Sequence, residues 1–226
     1  MICLKRNSAD TNYLGAVLLK STVSSRLYYP HIASDAMWWT GIAAYNPSDS
    51  FSGLTITGFR SDGLEVSSET VLLGSREKYI GTARSLDFTS DTAWLRIESE
   101  QGITGLELFG TADGKQLAGY TCTGISSRDG IFAKTETPNR TGIAFVNTEG
   151  SPATVTLTAY DDDGRRIASE TIGLLPHERI ADMAESIFTQ DIRDATYIAY
   201  SSDKEVAGFH LNNSSDNMML DGLPGM

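Results

Sequence analysis

Hydrophobic and polar residues alternate with a period of two along much of this chain. Leu54, Ile56 and Gly58 interleave with Thr55, Thr57 and Phe59; Val155, Leu157 and Ala159 interleave with Thr156, Thr158 and Tyr160. That period predicts strands, with one set of side chains on a buried face and the threonines and aromatics on the other. Asp62-Gly63 and Asp163-Gly164 follow as hairpin turns, and 64–73 and 165–174 return as second arms. Further strands are expected at 93–98 and 103–109, and at 196–201 and 206–211. One segment breaks the alternation. Ile180, Met183, Ala184, Ile187 and Phe188 fall at i, i+3, i+4, i+7 and i+8, which predicts a helix of about two turns with one apolar face. Its counterpart around Tyr79, Ala83 and Leu86 keeps part of the pattern, weakened by Gly81.

The pattern occurs twice because the chain repeats itself. Residues 40–73 lie on 141–174 without a gap, and 14 of these 34 pairs are identical. Thr40-Gly41-Ile42-Ala43 returns as Thr141-Gly142-Ile143-Ala144, and Asn46 returns as Asn147. Two extra residues near Gln190–Asp194 change the offset from 101 to 103, so that Trp94 matches Tyr197 and Gly105 matches Gly208. At that second offset the N-terminus joins in: Ala9-Asp10 and Leu14 match Ala112-Asp113 and Leu117. The last hairpin of the repeat is therefore expected three times, around 2–20, 105–123 and 208–222. An N-terminal hairpin (1–24) precedes two repeats of about 100 residues, 25–124 and 125–226. The extra hairpin suggests a window of a longer array, or strands exchanged with a neighbouring chain.

Six or seven short strands per hundred residues predict an all-β fold of two tandem β-sandwich domains, each with one short helix. The stretch Thr141–Asn147, the Thr-rich segment 151–160 and the Asp163-Gly164 turn resemble the immunoglobulin-like and fibronectin-III-like repeats of bacterial surface and secreted proteins. That resemblance implies an extracytoplasmic module with an adhesive, structural or enzyme-accessory role. The Cys…Trp…Cys arrangement of antibody domains is absent.

The chain has 226 residues, with 29 acidic against 18 basic side chains and a net charge of −11. This acidity argues against nucleic acid and against anionic membrane surfaces as partners. No run is long enough for a membrane-spanning helix, and no signal peptide is recognisable at the N-terminus. Cys3 and Cys122 have no counterparts in the repeat, and free thiols are expected. An extracellular, cell-surface or periplasmic location follows from the family resemblance.

Candidate chemistry is sparse. The three histidines are His31, His177 and His210. His177 and His210 are not kept across repeats, and His210 alternates with Phe209 and Leu211, so a solvated or loosely bonded histidine is expected rather than a ligand or base. No zinc spacing, nucleophile elbow, P-loop or dinucleotide fingerprint occurs. Asp161, Asp162 and Asp163 crowd one turn and are candidate calcium ligands, set against the plainer reading of a solvated hairpin tip. Calcium is the one cofactor the sequence suggests. Trp38-Trp39 has no counterpart in the second repeat, and Tyr28 and Tyr29 lie nearby. These four aromatics are the candidate ligand site, because exposed rings are platforms for sugars or protein partners; the competing reading is that they pack at the hairpin or the junction. The expected function is a non-enzymatic structural or adhesive module with a protein or glycan partner. A carbohydrate-binding module is the alternative.

Overall fold

The computed structural model describes residues 2–6, 14–18, 22–86, 88–122, 124–217 and 219–225, with side chains from residue 22 onward. An antiparallel hairpin of β1 (Ile2–Arg6) and β2 (Leu14–Leu18) comes first. The first repeat supplies β3 (Ser24–Tyr29), β4 (Trp38–Tyr45), β5 (Ser52–Phe59), β6 (Glu65–Leu73), β7 (Lys78–Thr82), β8 (Trp94–Thr111) and β9 (Leu117–Cys122). The second supplies β10 (Ser127–Phe132), β11 (Thr141–Asn147), β12 (Ala153–Tyr160), β13 (Arg166–Leu174), β14 (Arg179–Met183), β15 (Tyr197–Asn213) and β16 (Leu220–Pro224). Each set forms one seven-stranded antiparallel sheet. The orders are β6-β5-β8-β4-β7 and β13-β12-β15-β11-β14, with β3 and β9 also on β8, and β10 and β16 also on β15. The chain is nearly all β. Among the described residues no helix is long and apolar enough to cross a membrane.

The strands expected separately at 93–98 and 103–109 are one strand, β8. Its first half pairs with β3 and β5, and its second half with β4 and β9. The long strand thus passes from one part of the sheet to the other and curls it around a core, as strands do at the corners of packed sheets. β15 does the same in the second repeat. Leu27, Ile42, Leu54, Ile56, Leu95 and Ile97 fill the first core, and Val155, Leu157 and Ile198 belong to the second. Each such side chain contributes about 1.5–3 kcal/mol when fully buried.

The repeated asparagines are explained by their hydrogen bonds. Asn46 Nδ2 donates to the carbonyls of Ser50 (2.7 Å) and Gly74 (2.9 Å), and its Oδ1 accepts from Ser48 N (3.0 Å). Asn147 makes the matching set with Ser151, Leu175 and Glu149 at 2.7, 2.9 and 3.0 Å. Both side chains are fully buried. They bind two loops together and satisfy backbone groups that burial would otherwise leave unpaired.

Three expectations change. The helix over 180–188 shrinks to one turn, α1 (Ala184–Ile187), and the first repeat has a 3-10 turn at Ala83–Ser85. Ile180 and Met183 belong instead to β14, paired with Phe145 and Gly142; ladder pairing outweighs a pattern too short to nucleate a helix alone. His210, expected to be solvated or loosely bonded, is fully buried. Its ring faces Phe132 edge-on at 5.8 Å, while Phe209 on the other face packs against the first repeat. When both faces of a strand are covered, alternation no longer separates inside from outside. The N-terminal hairpin pairs Leu4 with Ala16, one residue away from the register of Glu107 with Tyr120 and His210 with Leu223. Ala9 and Asp10 in its turn lie outside the described residues, as does the side chain of Cys3. Cys122 is a buried free thiol.

The two Asp-Gly turns allow a paired test. Gly63 and Gly164 both have left-handed backbones, with φ of 87° and 75°. A Cβ on Gly63 would lie 2.1 Å from the Pro176 carbonyl oxygen, whereas one on Gly164 meets nothing within 4 Å. Gly164→Ala should therefore cost about 1–2 kcal/mol for backbone conformation alone. Gly63→Ala should cost a further ~1–3 kcal/mol from overpacking, read as the difference between urea midpoints. Equal losses in the two variants would contradict this packing.

Candidate functional site

Several of the described groups with strongly perturbed chemistry, His31 and Arg179 among them, lie where the two repeats meet. The second repeat lays one face of its sheet, carrying Ala144 on β11, Ala181 on β14 and Phe209 and Leu211 on β15, against the core of the first. Phe209 stacks on Phe109 (5.3 Å, 9°) and on Tyr120 (4.6 Å, 6°). Beside them Tyr28, Phe59, Ala93 and Trp94 pack with Val146 and Ala207. Phe59 and Trp94 are themselves stacked at 4.1 Å.

Polar contacts ring this apolar joint. Trp94 Nε1 donates to the His177 carbonyl (3.0 Å), and the backbone N–H of Arg179 donates to the Ser61 carbonyl (2.9 Å). The Arg179 guanidinium reaches His31 Nδ1 and donates to the Ala93 carbonyl at 3.3 Å. His31 sits between Phe109 (5.9 Å) and Phe209 (6.4 Å). Burial, reinforced by the Arg179 charge, pushes its pKa down to about 3, so the imidazole is neutral and can accept from the guanidinium.

Above His31 a cleft of about 620 Å³ opens between the repeats, within the range of small-ligand sites. Trp38, Asp35 and Thr92 line one wall, and Asn139, Arg140 and Asn213 the other. Asp35 Oδ1 accepts the N–H groups of Met37 and Trp38, both at 2.7 Å, and so fixes the loop that presents Trp38. Those bonds hold the Asp35 carboxyl below its ordinary pKa. Arg140 donates to the Ser214 carbonyl (2.7 Å), which orients its guanidinium in the opposite wall.

The structure separates the four candidate aromatics. Trp38 lines the cleft. Trp39, one residue on and therefore on the opposite side of β4, folds across Gly41 and Gly110; a Cβ on Gly110 would lie 2.2 Å from its ring. Tyr28 and Tyr29 are buried, and the Tyr29 hydroxyl donates to the Ala43 carbonyl (2.8 Å). They serve the core rather than a surface platform. Asp161 accepts from the backbone of Asp163 and Arg165 and pairs with the Arg165 side chain at 3.0 Å. Its carboxylate thus organises its own turn. Among the described residues no three His, Cys, Asp or Glu side chains come together as metal ligands.

Sequence reasoning missed Arg179 and Glu107. Glu107 occupies the position of His210 in the repeat; it is fully buried, and neither carboxyl oxygen has a hydrogen-bond partner. Burial drives its pKa well above the ordinary value. A signal existed: Glu107 shares the phase of Ile103 and Phe109 on β8, both fully buried. For Arg179 there was none, because its role depends on His31, far away in sequence.

No family model matches the chain, and no curated protein matches it. Among solved structures, Thermotoga maritima 1070 is similar over 44% of this chain and 93% of that chain, at 14% identity and a TM-score of 0.37. Anabaena sensory rhodopsin transducer is similar over 39% and 98%, at 10% identity and 0.33. PBSX exported protein XepA is similar over 82% of each chain, at 10% identity and 0.27. Likenesses this distant carry no functional argument.

The joint and its buried groups generate two expectations. Phe209→Ala should remove about 3–5 kcal/mol and split one cooperative melt into two, because the stack couples the repeats; a single unchanged transition would refute that coupling. The second concerns pH. His31 and His210 have folded pKa values of about 3 and about 4, below the usual 6.5, so the unfolded chain binds more protons. Their stabilisation is full above about pH 6.5 and falls as pH drops towards 4. Glu107 acts with the opposite sign, losing stability as pH rises above the ordinary 4.5. Glu107→Gln should therefore gain stability over the parent between pH 5 and 8, by at most ~1.4 kcal/mol per pH unit. Urea titrations at a pH series check this, and a pH-independent difference would contradict it.

Proposed function

We propose that this chain is a non-enzymatic structural or adhesive module, built from two tandem β-sandwich repeats and acting at a cell surface or in a secreted protein. The observation that supports this reading is the joint itself. Three polar groups at the joint, His31, Arg179 and Trp94, are engaged in holding one repeat against the other. Glu107 and His210 are sealed in the cores, where no substrate can reach them.

A second reading, carbohydrate binding, is favoured by one specific observation. Trp38 lines a cleft of small-ligand size whose other wall carries Asn139, Arg140 and Asn213. An aromatic face opposite amide and guanidinium donors suits a sugar ring, which presents an apolar face and a rim of hydroxyls.

A glycan array probed with the parent chain and with Trp38→Ala separates the two readings. The structural reading expects no glycan signal, and the same cooperative melt for both proteins. Binding that quenches tryptophan fluorescence and is lost in Trp38→Ala would replace it with the carbohydrate reading.

A further inference from the structure

The joint between the repeats is heterologous: one repeat offers the outer face of its sheet, and the other offers the open end of its core. Each repeat carries both surfaces, and among the described residues no other repeat covers the first repeat's outer face or the second repeat's open end. The first repeat's outer face presents Ala43, Ile80, Leu106 and Leu108 where the second has Ala144, Ala181, Phe209 and Leu211. The strand registers agree: Ala43 lies opposite Ile80 and Leu106 just as Ala144 lies opposite Ala181 and Phe209. Ala144 and Phe209 are buried in the joint, whereas Ile80 is 65% exposed.

The second repeat's open end is the matching half. Tyr160 and Tyr197 stack at 5.2 Å and 14° where Phe59 and Trp94 stack at 4.1 Å and 10°. Leu223 and Ile131, at 36% and 38% exposure, take the places of the buried Tyr120 and Tyr28. The space beside Gly164 is empty, while that beside Gly63 holds the Pro176–Glu178 turn. That turn has its own counterpart in the first repeat, where Arg76 has the same φ of 58° as His177.

We propose that chains associate head to tail, the open end of the second repeat of one chain receiving the outer face of the first repeat of the next. The internal joint sets Ser61 against Arg179, and the equivalent intermolecular contact sets Asp162 against Lys78; Arg76 and Asp161 are already paired, with Asp49 and Arg165. Lys134, which stands in the place of His31, is already neutralised by Glu136 at 2.6 Å. The internal joint also brings β16 close to β9, and β2 runs close to β9 as well. The N-terminal hairpin thus stands where a preceding repeat's last hairpin belongs, so the association we propose requires it to move aside. Such a heterologous contact extends into an open, filament-like series wherever its rotation does not close a ring.

This inference rests on the structural-module reading and is tested apart from it. In sedimentation velocity, the average mass of the full chain should rise with concentration without a plateau. Ile80→Asp spoils only the outer face and Leu223→Asp only the open end; both positions are exposed, and the parent's melt in each variant confirms folding. Each variant alone should sediment as a monomer. Their equimolar mixture should form dimers and stop there, because each partner keeps one competent half. A parent that stays monomeric at every concentration, a single variant that still associates, or a mixture that does not dimerise would overturn head-to-tail association. Any of these results leaves the glycan-array test of the module reading unaffected.

Discussion

Everything in this molecule depends on how the first repeat's core is closed. A curled antiparallel sheet leaves an open end, and here Phe109 and Tyr120 lie at that end with their ring faces available. Phe209 covers both rings at close to parallel geometry. Offset stacks of this kind add about 0.5–1.5 kcal/mol beyond the burial of the rings. The larger consequence is topological: the cover comes from the neighbouring repeat, so the first core is complete only when the second is in place. His31, Arg179 and the indole of Trp94 then act as polar fasteners at the edge of an apolar contact.

The repeat makes the role of each end readable by comparison. Where a neighbour covers the open end, the positions are aromatic and fully buried, as with Phe59, Trp94 and Tyr120. Where no neighbour is present, the same positions hold Tyr160, Tyr197 and Leu223, apolar in body but able to tolerate water. Hydroxyl-bearing rings and a half-exposed leucine are compatible with both a solvated and a covered state. Position 107/210 follows a different logic. It carries an ionisable group in both repeats, a carboxyl in one and an imidazole in the other, and burial neutralises each by moving its pKa in the required direction.

Much of this architecture was legible in the chain alone. The period-two alternation in 54–59 and 155–160, the two Asp-Gly turns and the self-alignment at offset 101 established strands, hairpins and duplication. They could do so because strand patterning and turn chemistry are local: they are set by which side chains suit a pleat and which residues tolerate a left-handed backbone. The returning asparagine was equally visible, although its purpose was not.

What only the tertiary structure decided concerns faces and neighbours. Period two places Phe209 and His210 on opposite sides of β15, but both sides are buried, one by the strand's own core and one by the other repeat. The ladder between β11 and β14 overrode a helical pattern at 180–188. Adjacent Trp38 and Trp39 parted, one to the cleft and one across Gly41 and Gly110. Arg179 acquired a role only by meeting His31 across the joint. Each outcome rests on contacts between segments far apart in sequence, whose energies come from burial and close packing that no local pattern encodes.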